Sequence, residues 1–461
     1  MSHQDQDGRS VSCQASELKR ALAWLVRPSA LGSLTFRQDC SWTPLSLVAA
    51  ALVWAWSDEG TLGERFQTAR KIVQHLHSPQ QELAGSYQAF LKMLVRWTAT
   101  LVTLLQVALR QRLVQSLATR WERFGFVIFG VDGSRLELPR TESHAAAYAG
   151  RKRPRKKRSQ RPSRQSARAR ARKANTPQMW LTMVWHATTR LPWDWRIGPA
   201  DSSEREHWRQ MLPQLPPNAL SAVDAGFVGY EYVREVIASG RHLVLRIGSN
   251  VSLLRRLGHA REREGLVYLW PKRALAKQQP PIRLRLVVAH NGRHPVHLVT
   301  SVLEERRLSD TQLLEIYRER WGIEVFYRHL KQTFARRKLK STSAPHARVE
   351  LEWSLIGLWA MALYAEVQLA RDEIPATRMS FALVIRAFRR VLRDYLHPVE
   401  HGGGLCPRLR RAIIDDYKRG DKSSRNYPRK KQEKPPGSPK ITLATPTQRQ
   451  VAKQHLKGLT A

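Results

Sequence analysis

The sequence predicts an α/β protein in which a core of strands and helices is split by a β-rich insertion and flanked on both sides by helical regions. Three observations carry that expectation. Residues 14–120 repeat apolar positions at the helical period with no strand-like alternation. From residue 126, short β-branched and aromatic runs alternate with amphipathic stretches. Between 250 and 305, extended segments are separated by Gly, Pro and Asn. At 461 residues the chain has room for two or three domains and a substantial core.

In the N-terminal region "TLGERFQTARKIVQHL" and "AFLKMLVRWTATLVTLLQVALRQRLVQSL" read as helices. "LSLVAAALVWAW", residues 45–56, is too short to span a bilayer and no signal peptide precedes it, so it reads as a buried helix. The texture changes at "FVIFGVDGSRLELP", a strand expected to end at Asp132 and Gly133. "QMWLTMVWHATT" and "LPWDWRIGPA" read as two further strands, "SEREHWRQMLPQL" as a helix and "ALSAVDAGF" as a strand ending at Asp224. "YEYVREVIASG" then gives a helix and "RHLVLRIGS" a strand. "GLVYLWPKR", "IRLRLVVAHN" and "HPVHLVTSVL" form the extended insertion. A long helix follows in "SDTQLLEIYRERWGIEVFYRHLKQTFARR", with Ser309 or Asp310 as its cap. "LEWSLIGLWAMALYAEVQLA" is apolar almost all round and should be buried. A further helix is expected near 380–396, and from about 418 the composition suggests a mobile basic tail.

Charge narrows the partners. The formal net charge of +40 would repel itself without a polyanion, which points to nucleic acid, although a basic membrane-surface or ribosome-associated protein fits composition alone. Residues 151–173 concentrate 13 Lys or Arg in 23 positions with no apolar residue larger than Ala or Pro. That segment reads as a loop between the first two strands, either a solvated tether or ordered by DNA, and it would accelerate encounter with DNA in both cases. Cys13, Cys40 and Cys406 lack paired spacing, which argues against a disulfide framework or a cysteine zinc cluster and for a reducing cytoplasm.

Asp132 and Asp224 each follow an apolar run and precede small residues that let another group approach. Each also reads as an ordinary strand-end or turn aspartate. In "YRERWGIEVFYRHLK", residues 317–331, Tyr317, Arg320, Glu324 and Lys331 are offset by three, four and seven residues. At about 3.6 residues per turn that places one carboxylate among two cations and a phenol on one helical face. An ion-paired solvated face has the same pattern. Three carboxylates gathered in a cationic chain would instead call for Mg²⁺ or Mn²⁺, whose hard oxygen chemistry suits phosphoryl displacement.

That spacing fits the "YREK" signature of bacterial insertion-sequence DDE transposases, the family numbered four. "FGVDGS", "VDAGF" and "HLVTSVL" resemble that family's first-Asp, second-Asp and pre-helix regions. The resemblance spans roughly residues 60–375. It implies an RNase H-like catalytic core with a β-rich insertion before the glutamate helix, a helical N-terminal DNA-binding domain and a helical, basic C-terminal region. The divisions implied are 1–120, 121–249, 250–305, 306–375 and 376–461. Carried over by position, Asp132, Asp224 and Glu324 would be catalytic and hold two Mg²⁺ or Mn²⁺ ions. Tyr317, Arg320 and Lys331 would contact DNA phosphates without reading bases. The family further implies a nucleoid-associated homodimer on paired element ends. It would bind terminal inverted repeats in double-stranded DNA, cleave through hairpin ends and join them to target DNA.

A hairpin needs an aromatic surface for an extruded base. Trp270, followed by Lys272 and Arg273, is the candidate, although it could equally pack the insertion, whereas Trp321 and Trp353 are expected in the core. Arg328, one turn after Glu324, could touch DNA or pair with that glutamate, and His329 reads as structural or phosphate-contacting. Arg65, Arg70 and Lys71 in "ERFQTARK" form the best candidate for a sequence-reading surface, with an architectural helical bundle as the other reading. Two other functions remain open: an RNase H-like nuclease without strand transfer, and a transposase-derived DNA-binding protein. The latter should have lost acids from the triad.

Overall fold

The apolar repeat of the N-terminal region folds into α1 (residues 16–25), α2 (Pro44–Trp56), α3 (Leu62–His77) and α4 (Tyr87–Ser116). The computed structural model describes residues 16–77, 82–150, 177–258, 262–290, 295–397, 403–414 and 437–456. Thr43 and Ser46 close a reciprocal capping box on α2, and Pro44 sits in the first turn, where its missing amide leaves no hydrogen bond unmade. From Ser46 to Trp56 every residue of α2 is buried, as its all-round apolarity requires.

The central sheet contains β1 (Val127–Glu137), β2 (Gln178–His186), β3 (Leu191–Gly198), β4 (Ala219–Val223) and β5 (His242–Ile247). Between them lie α5 (Glu142–Tyr148), α6 (Glu204–Met211) and α7 (Tyr230–Ala238). Their spatial order is β3-β2-β1-β4-β5, with β1 to β3 antiparallel and β1, β4 and β5 parallel. Apart from α5, a short helix between β1 and β2 that the sequence reading did not include, this is the expected RNase H-like order of strand, strand, strand, helix, strand, helix, strand. β1 does not stop at Asp132: its pairing with β2 continues from Asp132↔Met183 to Glu137↔Gln178. Its pairing with β4 ends at Gly130↔Ala222. Asp132 therefore stands just where β1 outruns its parallel neighbour, and Asp224 directly follows the end of that neighbour.

The insertion comprises β6 (Ser252–Arg255), β7 (Leu266–Leu269), α8 (Lys272–Ala276), β8 (Ile282–His290) and β9 (Pro295–Thr300). It extends the same sheet, because β9 pairs antiparallel with β5 from Val244↔Thr300 to Ile247↔His297. The glutamate segment is not one helix. Ser309 and Gln312 form a capping box on α9 (Asp310–Glu319), α10 spans Gly322–Arg328, and a π turn covers His329–Thr333. Arg320 and Trp321 at the joint keep right-handed helical dihedrals, so the direction of the chain is preserved.

The chain closes with α11 (Ala344–Arg371), α12 (Phe381–Leu396), α13 (Leu405–Arg410), β10 (Lys440–Leu443) and α14 (Pro446–Leu456). α4 and α11 are long and apolar enough to cross a membrane. The apolar window of α11 is 94% buried inside the protein, so its composition serves the core. The basic segment 151–173 lies outside the described residues, as does most of the tail. Residues 437–456 do not form the expected mobile tail: β10 pairs parallel with β6 and completes a ten-stranded sheet.

Period-two alternation divides the core between the faces of this sheet. Ile128 and Leu136 of β1 meet a layer containing α2, α4, α11 and α12, with Trp56 Nε1 donating to the Gly357 carbonyl at 2.9 Å. Val127, Phe129 and Val131 face α6, α7 and the insertion. The N-terminal helices thus share a continuous hydrophobic layer with α11.

Candidate active site

Asp132 is positioned by an unbroken buried run, Val127–Val131, and is itself half-buried. Its backbone carbonyl accepts the Tyr327 hydroxyl at 2.8 Å, joining α10 to β1. Burial pushes its carboxyl up to about 6, helped by the nearby charges of Asp224 and Glu324 and opposed by the Gly133 amide and Arg320. Asp224 caps the short turn Ala225–Phe227 through a 2.8 Å bond from the Gly226 amide to Oδ1, which fixes the carboxylate at the strand end.

Arg320 Nη2 donates to Glu324 Oε1 at 3.1 Å, and its guanidinium lies 5.6 Å from the Tyr317 ring centre. Burial opposes its charge, but Tyr317, Glu324, Asp132 and Asp224 together hold its pKa above the ordinary value. The phenol of Tyr317 is pushed up by burial. The structure therefore brings Asp132, Asp224, Glu324, Tyr317 and Arg320 into one electrostatic unit. Lys331 approaches from the π turn, where Nζ donates to Ser134 Oγ at 2.7 Å, and burial followed by Arg337 lowers its pKa. Asp132, Ser134, Glu324, Arg328, Lys331 and Arg337 line an open groove of about 540 Å³ in which acids and cations are interspersed.

Close approach requires Gly322. A β-carbon there would stand 2.0 Å from the Trp185 ring, so only glycine lets α10 lie this near β2. Gly133 has a similar role, because its missing side chain leaves the space filled by the Glu204 carboxyl.

Other sequence candidates lie elsewhere. Trp270 is 5% exposed, donates to the Gln279 carbonyl at 2.8 Å and meets His455 edge-on, so it offers an extruded base no open face. Trp321 reverses the expectation, because at 61% exposure it is the open aromatic beside Arg320. Trp353 is core and bonds Thr98 at 2.9 Å. Arg65 is 3% exposed and its Nε donates to the Glu59 carbonyl. Arg70 is tied to the Leu83 carbonyl and to Glu82. Both arginines brace α3 against its neighbouring loops instead of presenting a reading surface. His329 stacks on Phe381 and bonds Thr333, a structural setting in which burial lowers its pKa to about 4. Arg328 is exposed on the groove.

Sequence reasoning missed Tyr327, Ser134 and Glu204. Glu204 opens α6 and faces Gly133; burial, then Asp132 and Asp224, push its carboxyl up to about 7. In the sequence it looks like any acid in a first helical turn. Asp132, Asp224 and Glu324 offer oxygen donors only, which fits a hard divalent cation. All three carboxylates are partly exposed, so their oxygens are open to such an ion. Among the described residues no three His, Cys, Asp or Glu side chains stand together at coordinating distance, and Arg320 carries the counter-charge.

A family model described as a transposase DDE domain matches residues 124–360, more than half of the chain and all three carboxylate positions. The chain is 25% identical over 255 residues to the transposase InsG for insertion sequence element IS4 of Escherichia coli (strain K12), a match covering 53% of each protein. It thus spans about half the length of that curated relative. Among solved structures it aligns with a piggyBac transposase synaptic complex with hairpin DNA, at 11% identity and a TM-score of 0.38, over 91% of this chain and 86% of the other. With its core strands, insertion and glutamate helix all inside the matched span, the chain belongs to the transposase DDE domain family.

Proposed function

We propose that this protein is a DNA transposase that binds the terminal inverted repeats of its own insertion sequence and performs metal-dependent cleavage and strand transfer by a cut-and-paste route through hairpin ends. The observation that carries the reading is the convergence of Asp132, Asp224 and Glu324 around one buried arginine, in a chain of net charge +40.

In this reading Asp132, Asp224 and Glu324 hold Mg²⁺ or Mn²⁺. A bound ion there supplies an acidified water and stabilises the departing oxygen of a phosphodiester. Arg320 keeps the acids compatible before DNA arrives and would then offer its guanidinium to a phosphate. Tyr317 orients Arg320 through its ring. Lys331, steadied by Ser134, and the exposed Arg328 receive the backbone along the groove. Trp321 supplies the open aromatic face that Trp270 lacks. The freed 3′ hydroxyl then attacks a phosphodiester of the opposite strand, forming the hairpin's new phosphodiester and expelling the 3′ oxygen of the flanking DNA as a hydroxyl. Reopening of that hairpin and transfer to target DNA use the same carboxylates, and a homodimer holds the two ends.

The test is incubation with end-containing duplex DNA and Mg²⁺ or Mn²⁺. Cleavage, hairpin formation and joining should all be lost in Asp132→Asn, Asp224→Asn and Glu324→Ala. If all three variants cleave like the unmodified protein, the assignment is wrong. Cleavage without hairpin or joined products would leave a nuclease.

A further inference from the structure

We infer that Glu204 is a fourth carboxylate of this site, contributing an oxygen donor beside Asp132 and Asp224 to the same divalent cation; the inference rests on the transposase reading above. Three features of the packing carry it. First, a β-carbon on Gly133 would lie 2.3 Å from Glu204 Oε1 and 2.8 Å from both Cδ and Cγ. The side chain of Glu204 therefore occupies the space above the residue that follows Asp132, and only glycine there leaves room for it. Second, α6 is clamped to the Asp224 turn from the next residue along. Arg205 donates from Nε and Nη2 to the Gly226 carbonyl at 3.0 and 2.7 Å. The amide of Gly226 meanwhile holds Asp224 Oδ1. One dipeptide thus ties the helix carrying Glu204 to the loop carrying Asp224, while Gly133 ties it to the strand carrying Asp132.

Third, the neighbours on α6 are paired elsewhere. Ser203 caps the helix, and Glu206 pairs with Arg209, which also holds Glu235. His207 meets Thr182 at 2.9 Å. Glu204 is the acid of this helix turned toward Asp132, and among the described residues it has no ion pair and accepts no hydrogen bond. An ordinary first-turn acid bonds the amides of its own helix or lies in solvent. Glu204 makes no such bond and is partly covered, lying over Gly133 on a helix tied to the Asp224 loop, from which its oxygens would join those of Asp132 and Asp224 on a hard cation.

The experiment measures Mn²⁺ binding to the full-length, DNA-free protein by titration calorimetry and by the Mn²⁺-induced rise in Tm. The variants are Glu204→Gln, which keeps shape, Gly133→Ala, which drives the Glu204 side chain away while sparing its charge, and Asp132→Asn. All should melt cooperatively without metal, with Mn²⁺ affinity at least about 10-fold lower and the metal-induced rise in Tm reduced. Unchanged Mn²⁺ affinity in Glu204→Gln, with loss in Asp132→Asn, overturns the role of Glu204 alone. Unchanged affinity in both, or no Mn²⁺ binding by the unmodified protein, overturns the metal-site reading with it.

Discussion

The hydroxyl of Tyr327 donates to the backbone carbonyl of Asp132 at 2.8 Å, linking the helix of one candidate metal ligand to the strand of another. Tyr327 lies one helical turn beyond Glu324 and is 4% exposed. Its hydroxyl is excluded from water, and burial followed by Asp132 and Glu204 drives its pKa well above the ordinary phenol. It therefore acts as a neutral donor that sets the separation of β1 and α10. Tyr327→Phe keeps the ring and strands the carbonyl, which should cost about 1–2 kcal/mol in urea denaturation. DNA-end cleavage should fall while end binding stays near normal. Unaltered stability together with unaltered cleavage would sink the idea.

Gly322 decides how near α10 can approach the sheet. Overpacking against the rigid, 1%-exposed Trp185 should make Gly322→Ala cost about 1–3 kcal/mol and shift Glu324, two residues on. Trp185→Leu alone should also destabilise by leaving a cavity. Combined, the two changes should compensate, so that the double variant is more stable than the sum of the single effects predicts. Additive losses in a double-mutant cycle would show that the two residues do not share this space.

Local chemistry made much of this molecule legible in its sequence. Strands β1 to β5 each carry an apolar run closed by turn residues, and Asp132 and Asp224 mark the point where those runs meet small residues. The Tyr317–Arg320–Glu324–Lys331 spacing survives although Gly322 and a π turn divide the helix. The burial of individual side chains was not legible, because it depends on distant partners. Trp270 has Lys272 and Arg273 beside it, so its sequence leaves a stacking surface and a packed ring equally open, and only the structure shows its indole taken by Gln279 and met edge-on by His455 of α14. Trp321, in a charged helix whose apolar seam it was expected to join, is turned outward at the joint before Gly322. Arg65 is recruited by a carbonyl six residues earlier, which no charge pattern announces. Glu204 needed the missing side chain of Gly133, a relation across 71 residues that only folding creates.

His186 should make the fold acid-sensitive. It is fully buried, stacked 5.0 Å from the Trp121 ring centre, with its nitrogens facing the Trp121 carbonyl and Thr189. Burial lowers its pKa from 6.5 to about 4, against the opposing pull of that carbonyl. The folded imidazole stays neutral while the unfolded one protonates, so unfolding takes up a proton below pH 6.5. This contribution is fully present above pH 6.5 and declines as pH falls toward 4, by up to about 3 kcal/mol. His186→Gln should lower stability at pH 7 yet flatten its fall between pH 6.5 and 4.5. Denaturant midpoints across that range check the slope, and parallel curves for both proteins would refute the assignment.

The C-terminal segment closes the insertion edge. β10 pairs with β6 over Lys440↔Ser252 to Leu443↔Arg255, and Ala444 and Ala452 are 4% and 0% exposed in the layer that holds Trp270. Termination after residue 436 would leave β6 an open edge and uncover one face of Trp270. Lost burial of the two alanines and part of an indole should cost about 1–3 kcal/mol. The exposed edge should also promote concentration-dependent association, measurable by light scattering, whereas Trp270→Phe in the full-length chain should lower Tm without association. The truncated chain should bind non-specific DNA with a shallower salt dependence, because Lys440, Arg449 and Lys453 go with it. A truncated protein that melts at the parental temperature and stays dispersed would mean that β10 does not hold the insertion edge in solution.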